Sequence, residues 1–354
     1  MSLITRCKEN PLIRPADILP SAEGYQVLGS FNPAATEFEG EIILLLRVAE
    51  NCIREEGYVS VPYYHIDGPE SHPAILRLRE NDPEMELKDT RGVLYRGVDY
   101  LSTMSHLRLA RSRDGIHFKV DDKPFIYPTR ESEAFGVEDA RITKIKDRYW
   151  INYTGVSKDG FCTMLAVTDD FVHVEKKGII FPPMNKDVAL FNEPCGGYYY
   201  CLHRPNNQGF GKSSIWIGRS PDLLYWGDHK CLLRPDDSVW EREKIGGGAP
   251  PYKTEEGWLT IYHSKGENQR YTLNTLLLDL EHPDKIIAKG STPLLEPEEI
   301  YETDGFFGNV VFTNGMVVRE EEGEQVAWIY YGASDDTACL FKANISDLIA
   351  HARG

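Results

Sequence analysis

Four basic side chains, Arg47, Arg204, Lys244 and His263, stand at or beside the ends of short apolar segments scattered along a chain of 354 residues. Arginine grips an oxyanion through its planar fork, and lysine offers a mobile point charge. With a histidine beside them, these groups suit an anion such as phosphate. Aspartates recur at comparable places, as Asp139, Asp187, Asp304 and Asp335. Carboxylates bind sugar hydroxyls well and act as general acids when burial raises their pKa. Asn32, Asn309 and Tyr331 add neutral polar groups at the same places, and 19 tyrosines and 6 tryptophans supply aromatic faces for sugars. The chemistry these types point to joins a sugar to an oxyanion.

A repeat supplies the elements that would gather these residues. Five short apolar segments end in proline: Pro11-Leu12-Ile13-Arg14-Pro15, Pro124-Phe125-Ile126-Tyr127-Pro128, Ile179-Ile180-Phe181-Pro182, Leu232-Leu233-Arg234-Pro235 and Pro293-Leu294-Leu295-Glu296-Pro297. A strand rich in β-branched and aromatic residues recurs at 42–48, 149–154, 198–204, 258–264 and 327–332. A second recurs at 106–112, 163–168, 214–220, 273–278 and 338–343, four times followed by turn chemistry such as Asp114-Gly115 or Pro221-Asp222. Units of about four short strands predict an all-β chain, a five-bladed β-propeller. The lone N-terminal copy completes the last unit and closes the ring. A β-sandwich is the alternative, but sandwiches do not require periodic sequence. In a propeller, equivalent positions of each unit converge on the axis. Arg47, Thr154, Arg204, His263 and Tyr331 end the first set of strands, and Asn32, Glu138-Asp139-Ala140-Arg141, Lys186-Asp187, Lys244, Asp304 and Asn309 lie in the segments that enter them.

The bulk properties fit a single domain over residues 1–354, with no Gly/Ser or Pro-rich linker. Residues 50–105 form an insertion rich in charge and proline, expected as a lid over the channel or a contact in a homo-oligomer. No run reaches the roughly 18 apolar residues of a membrane span, and no apolar signal core follows Met1, so a cytoplasmic protein without a membrane partner is expected. A formal net charge of −16 argues against nucleic acid as a general partner. Seven scattered cysteines without a Cys-x-x-Cys pair read as reduced core thiols. Gly246-Gly247-Gly248 lacks the spacing of a nucleotide phosphate loop and reads as close backbone packing.

The ordered segments Ser30-Phe31-Asn32, Leu44-Leu45-Leu46-Arg47-Val48-Ala49-Glu50, Phe135-Gly136-Val137-Glu138-Asp139-Ala140-Arg141-Ile142, Leu202-His203-Arg204-Pro205, Lys244-Ile245-Gly246-Gly247-Gly248-Ala249-Pro250-Pro251, Ile261-Tyr262-His263 and Gly308-Asn309-Val310-Val311-Phe312 resemble glycoside hydrolase family 130 across nearly the whole chain. The likeness is closest to members acting on β-1,2-mannobiose and oligomannosides. Five-bladed propellers make up that family, most of them inverting β-mannoside phosphorylases and a minority β-1,2-mannosidases. The resemblance implies that Asp139 is the general acid, in many members acting through a sugar hydroxyl. The family motif Glu-Asp-Pro-Arg reads Glu-Asp-Ala-Arg here, which removes a backbone restraint and keeps the carboxylate. Arg47, Arg204, Lys244 and His263, aided by Arg141, resemble the basic residues that hold phosphate. The other polar positions, Asn32, Glu138, Asp187, Asp304, Asn309, Tyr331 and Asp335, are then expected to face the sugar.

The implied reaction is attack of inorganic phosphate on a β-mannoside, β-1,2-mannobiose, a mannooligosaccharide or β-1,4-mannosyl-glucose, giving α-mannose 1-phosphate. Phosphate is the co-substrate, and no metal or other cofactor is expected. Two other readings stay open: an inverting β-1,2-mannosidase and a noncatalytic glycan-binding propeller. An inverting hydrolase needs a second carboxylate roughly 6.5–9.5 Å from the acid to activate water. Glu241 or Glu243, otherwise a solvated charge run, would be its candidate base.

Overall fold

Residues 3–89, 92–206 and 209–354 are described by the computed structural model. Each β-rich segment becomes an inner strand of an antiparallel sheet, and five such sheets follow one another along the chain. The first joins Tyr25–Phe38, Glu41–Cys52, Met104–Ser112 and Lys119–Val120. Val137–Ile145, Arg148–Ser157, Gly160–Thr168 and Glu175–Phe181 form the second, and Asn185–Leu190, Tyr199–Pro205, Ile215–Ser220 and Gly227–Leu233 the third. The fourth comprises Lys244–Gly247, Gly257–Lys265, Tyr271–Leu278 and Ile286–Lys289, with Tyr252–Thr254 paired at its side. In the fifth, Val311–Glu321, Glu324–Ala333 and Thr337–Asn344 are joined by Thr5–Arg6 from the N-terminal end.

The proline-ended segments are the outer edges of these sheets. Ile13, Ile126 and Leu295 each make one bridge to a third strand, at Ala338, Leu107 and Leu273, while Phe181 and Leu233 close fuller outer strands. Proline lacks an N–H and cannot continue a ladder, which is why the motif ends at the rim. The turns after the third strands repeat as well. Asp114, Asp170 and Asp222 each accept backbone N–H groups two and three residues on, at 2.8–2.9 Å.

Apolar clusters fill the space between consecutive sheets. Leu45 and Leu107 meet Ile142 and Ile151 between the first and second, Leu165 meets Leu190 between the second and third, and Leu202 meets Trp258 between the third and fourth. Ile261 and Leu277 meet Ile329 and Phe341 between the fourth and fifth, and Leu340 meets Leu44 between the fifth and first. The C-terminal helix Ile345–Arg353 buries Leu348 and Ala352 in the contact between the fourth and fifth sheets.

A polar device recurs at the margin of these clusters, built on tyrosines that belong to them. Glu133, Glu241 and Glu302 are each fully buried and accept the hydroxyl of a second-strand tyrosine, Tyr153 (2.7 Å), Tyr262 (2.9 Å) and Tyr331 (2.7 Å). A cation from the outer strand balances each one: Lys176, Lys289 and Arg6. Buried charge persists only when paired in this way.

The insertion forms a hairpin, Tyr58–His65 with His72–Arg79, and a small sheet, Met85–Asp89, Gly92–Tyr95 and Val98–Leu101. It rests on the segment just before Asp139: the Tyr64 N–H donates to the Ala134 carbonyl at 3.0 Å, and the Tyr100 ring lies 5.4 Å from that of Phe135. Among the described residues no helix is long and apolar enough to cross a membrane.

Candidate active site

One backbone device, used three times, aims the central polar groups. In each of the first three sheets the pairing of the first two strands slips, between Phe31 and Ala34, Glu138 and Arg141, and Lys186 and Ala189. The residue at each slip has left-handed backbone: Asn32 with φ 47°, Asp139 with φ 51° and Asp187 with φ 56°. Such bulges re-aim a side chain, and Asn and Asp enter this conformation more readily than other non-glycine residues. All three side chains reach one cavity of about 260 Å³.

Second-strand residues complete the wall. Arg47, Arg204 and His263 pair across from Phe31, Lys186 and Gly246 respectively, and all three line the cavity, with Lys186, Lys244 and Asp335 beside them. Arg47 lies 3.3 Å from Asp139 Oδ1 and 3.2 Å from Glu138, with Nε bound to Ser105 at 3.0 Å. Asn32 donates to Asp139 at 3.0 Å. Asp187 receives Arg204 Nε at 2.5 Å, with His263 Nε2 3.5 Å away and Arg141 Nη2 at 3.6 Å. Tyr271, Phe307, Val310 and Phe312 form an apolar part of the wall.

The local electrostatics follow from this crowding. Burial pushes the Asp139 pKa up, but Arg47, Lys186, Asn32 and Arg141 outweigh it and hold the carboxyl below its ordinary value. Asp335 goes the other way: burial, with Asp139 and Glu138 nearby, raises it to about 6 against the pull of Arg47. Burial, Arg204 and Lys186 lower Lys244 to about 7. Burial is the largest cause and the neighbouring cations add to it; an entering anion would offset the cations.

Most of the expected residues meet. Asn32, Arg47, Asp139, Asp187, Arg204, Lys244, His263 and Asp335 line the cavity. Glu138 stands behind Arg47, and Arg141 lies beneath the floor, donating to the carbonyls of Gly247 (2.9 Å) and Gly248 (3.2 Å). Three do not reach it. Tyr331 points to the opposite face of its sheet, into the Glu302 cluster, because strand side chains alternate and its neighbour Gly332 holds the cavity-facing place opposite Phe312. A side chain at Gly332 would collide with Asn32 Oδ1. Asp304 is exposed at the end of the short helix Ile300–Thr303, and Asn309, also exposed, contributes its carbonyl to the Tyr271 N–H at 3.0 Å.

Lys186, expected near the axis with Asp187 but given no role, lines the cavity, and Tyr271, Phe307, Val310 and Phe312 were missed as lining residues. Val310 and Phe312 stand in a segment that resembles the family, whereas Tyr271 and Phe307 carried no signal that sets them apart from core aromatics.

An all-β chain in which five sheets bring a buried acid, a cluster of cations and an apolar wall to one cavity is built for carbohydrate chemistry with an anion. The chain belongs to glycoside hydrolase family 130: residues 91–353 match the family described as beta-1,4-mannooligosaccharide phosphorylase. It is 42% identical over 351 residues to a beta-1,2-mannobiose phosphorylase of Listeria innocua, covering 98% of this chain and 97% of that one. It is 39% identical to a 1,2-beta-oligomannan phosphorylase of a Thermoanaerobacter species, covering 69% of this chain and 82% of the relative. Among solved structures, the Listeria innocua beta-1,2-mannobiose phosphorylase in complex with beta-1,2-mannobiose superposes with a TM-score of 0.90 at 40% identity over 99% of both chains.

Proposed function

We propose that this chain catalyses inverting phosphorolysis of a β-mannoside, with β-1,2-mannobiose or a β-1,2-oligomannoside as the favoured substrate and α-mannose 1-phosphate as the product. The observation that carries this reading is the convergence of Arg47, Lys186, Arg204, Lys244 and His263 on the cavity that holds Asp139. Phosphate is already an anionic nucleophile and needs position and charge balance, not a base. The two glutamates a hydrolase would recruit are engaged elsewhere. Glu241 is buried against Tyr262 and Lys289, and Glu243 pairs with Lys265 at 2.9 Å.

In the proposed reaction a phosphate oxygen bonds to the anomeric carbon as the glycosidic C–O bond breaks. The departing oxygen takes a proton from Asp139, directly or through a sugar hydroxyl. The proton carried by the phosphate returns to the Asp139 carboxylate, which closes the cycle. Arg47, Lys186, Asn32 and Arg141 hold Asp139 ionised. A bound phosphate would offset Arg47 and Lys186 and raise its pKa into a donating range. Asn32 and Asp335 are assigned to the sugar, with Phe307 and Val310 as the apolar wall against its ring.

The scaffold reads as one five-bladed propeller. That reading draws on the five successive sheets, the apolar contact between the fifth and the first, and Thr5–Arg6 completing the fifth. The insertion, resting on residues 134–135, is assigned to the acceptor side of the cavity. A cytoplasmic location fits a product whose phosphate would retain it in the cell.

The test incubates the protein with β-1,2-mannobiose and with 4-O-β-mannosyl-glucose, each with and without phosphate. Mannose 1-phosphate from the first substrate, formed only when phosphate is present, is expected. Equal release of free mannose in both buffers would overturn phosphorolysis.

A further inference from the structure

We propose that Asp187 is a positioning residue of the anion site, a fixed counter-anion that orients Arg204 and His263, and not a ligand of the sugar. The proposal rests on the reading of phosphate as co-substrate. Asp187 leaves the third sheet at its left-handed bulge and is 1% exposed. Both carboxylate oxygens face cations or a donor ring: Oδ2 takes Arg204 Nε at 2.5 Å and lies 3.5 Å from His263 Nε2, while Oδ1 lies 3.6 Å from Arg141 Nη2. Oδ1 accepts no hydrogen bond but is sealed from solvent beside Arg141, and Oδ2 is taken by Arg204, so a sugar hydroxyl would have to open the site or displace Arg204 to reach this carboxylate. Binding Arg204 through Nε leaves its two terminal nitrogens for a ligand, the pair that grips an oxyanion in a fork.

His263 shows the same design from the other side. Its Nδ1 lies 3.2 Å from the Gly247 carbonyl, and its Nε2 faces Asp187. Both neighbours only accept, so the ring satisfies both contacts only when it carries two protons. Burial, with Arg204, Lys244 and Arg141, lowers its pKa to about 3 against the pull of Asp187. A phosphate among those cations would offset them, and Asp187 is in place to partner the imidazolium that then forms.

Gly246 completes the argument. A Cβ there would stand 2.5 Å from Asp187 Oδ2 and 2.5 Å from His263 Cε1, so this pair packs against bare backbone. The glycine cluster thus serves the seating of two side chains.

Steady-state kinetics with β-1,2-mannobiose and phosphate varied separately test the proposal on wild type, Asp187→Asn and Gly246→Ala. Removing one partner of a buried charge pair weakens what the other binds, so the KM for phosphate should rise by at least ~10-fold in Asp187→Asn. Gly246→Ala, which keeps both side chains and displaces them, should move the same constant. The KM for mannobiose should stay within about twofold in both. Phosphate should also raise the Tm of wild type more than that of either variant. A raised mannobiose KM with an unchanged phosphate KM would make Asp187 a sugar ligand and overturn the proposal, as would no change in either constant. Should Asp187→Asn fail to fold, Gly246→Ala still gives the decision. Wild-type turnover indifferent to phosphate would instead overturn the phosphorolysis reading, and this inference with it.

Discussion

Asp139 and Asp335 share one cavity and have their pKa values driven in opposite directions. Position decides it: Asp139 touches Arg47 and Asn32, whereas Asp335, at the tip of the hairpin between Glu324–Ala333 and Thr337–Asn344, gains less from cations than burial takes away. If Asp139 is the general acid proposed above, Asp139→Asn removes the transferable proton and should lower kcat by about 10²–10⁴-fold with an unchanged circular dichroism spectrum. Asp335 has the opposite linkage. A carboxyl of ordinary pKa about 3.9 when unfolded and about 6 when folded destabilises the native state progressively as pH rises through that window. Asp335→Asn should therefore raise Tm by a few degrees at pH 7.5 and leave it nearly unchanged at pH 4, as differential scanning calorimetry would show. At this scale the basic residues were legible from their equivalent places in the repeat and from the family resemblance, because a charge at one strand end alone reads as a solvated terminus. Tyr331 was not, because a strand end read one residue out assigns the side chain to the wrong face.

At the scale of elements, the second and third strands of each sheet could be read to within about four residues at either end, since β-branched and aromatic runs bounded by turn chemistry have few other uses. The bulges could not. A slip in pairing depends on the partner strand, and nothing in Ser30-Phe31-Asn32 or Asn185-Lys186-Asp187 alone announces it. The buried glutamates were hidden for a related reason: Glu241 looks like part of a surface charge run until Tyr262 and Lys289 are placed around it. Lys176 illustrates what these clusters contribute. Its Nζ donates to Glu133 at 2.7 Å, Thr129 Oγ1 at 3.0 Å and the Tyr127 carbonyl at 2.5 Å. Lys176→Met would leave Glu133 buried without its counter-charge and should destabilise the protein by about 3 kcal/mol, read from urea denaturation. Adding Glu133→Gln should recover part of that loss.

For the whole molecule, the junction between the two ends of the chain is the place to test cooperativity. Arg6 binds Glu302 at 2.9 Å and the Glu296 carbonyl at 2.8 Å, tying the N-terminal strand to the fifth sheet. Arg6→Ala should lower stability by about 3 kcal/mol, similar to Lys176→Met, and keep a single thermal transition if the five sheets unfold as one unit. An early separate transition would show that the fifth sheet opens alone. The three bulges carry a consequence at this scale too. Because equivalent bends in successive sheets place Asn32, Asp139 and Asp187 in left-handed backbone, the fold restricts which residues can stand at its centre. The vocabulary favoured there is short, asparagine, aspartate and glycine, although this chain also holds Glu39 and Glu322 in such backbone. Evolution of new specificity in this scaffold is thereby biased toward exchanges among an amide, a short acid and nothing at all, with longer acids entering at a cost in backbone strain.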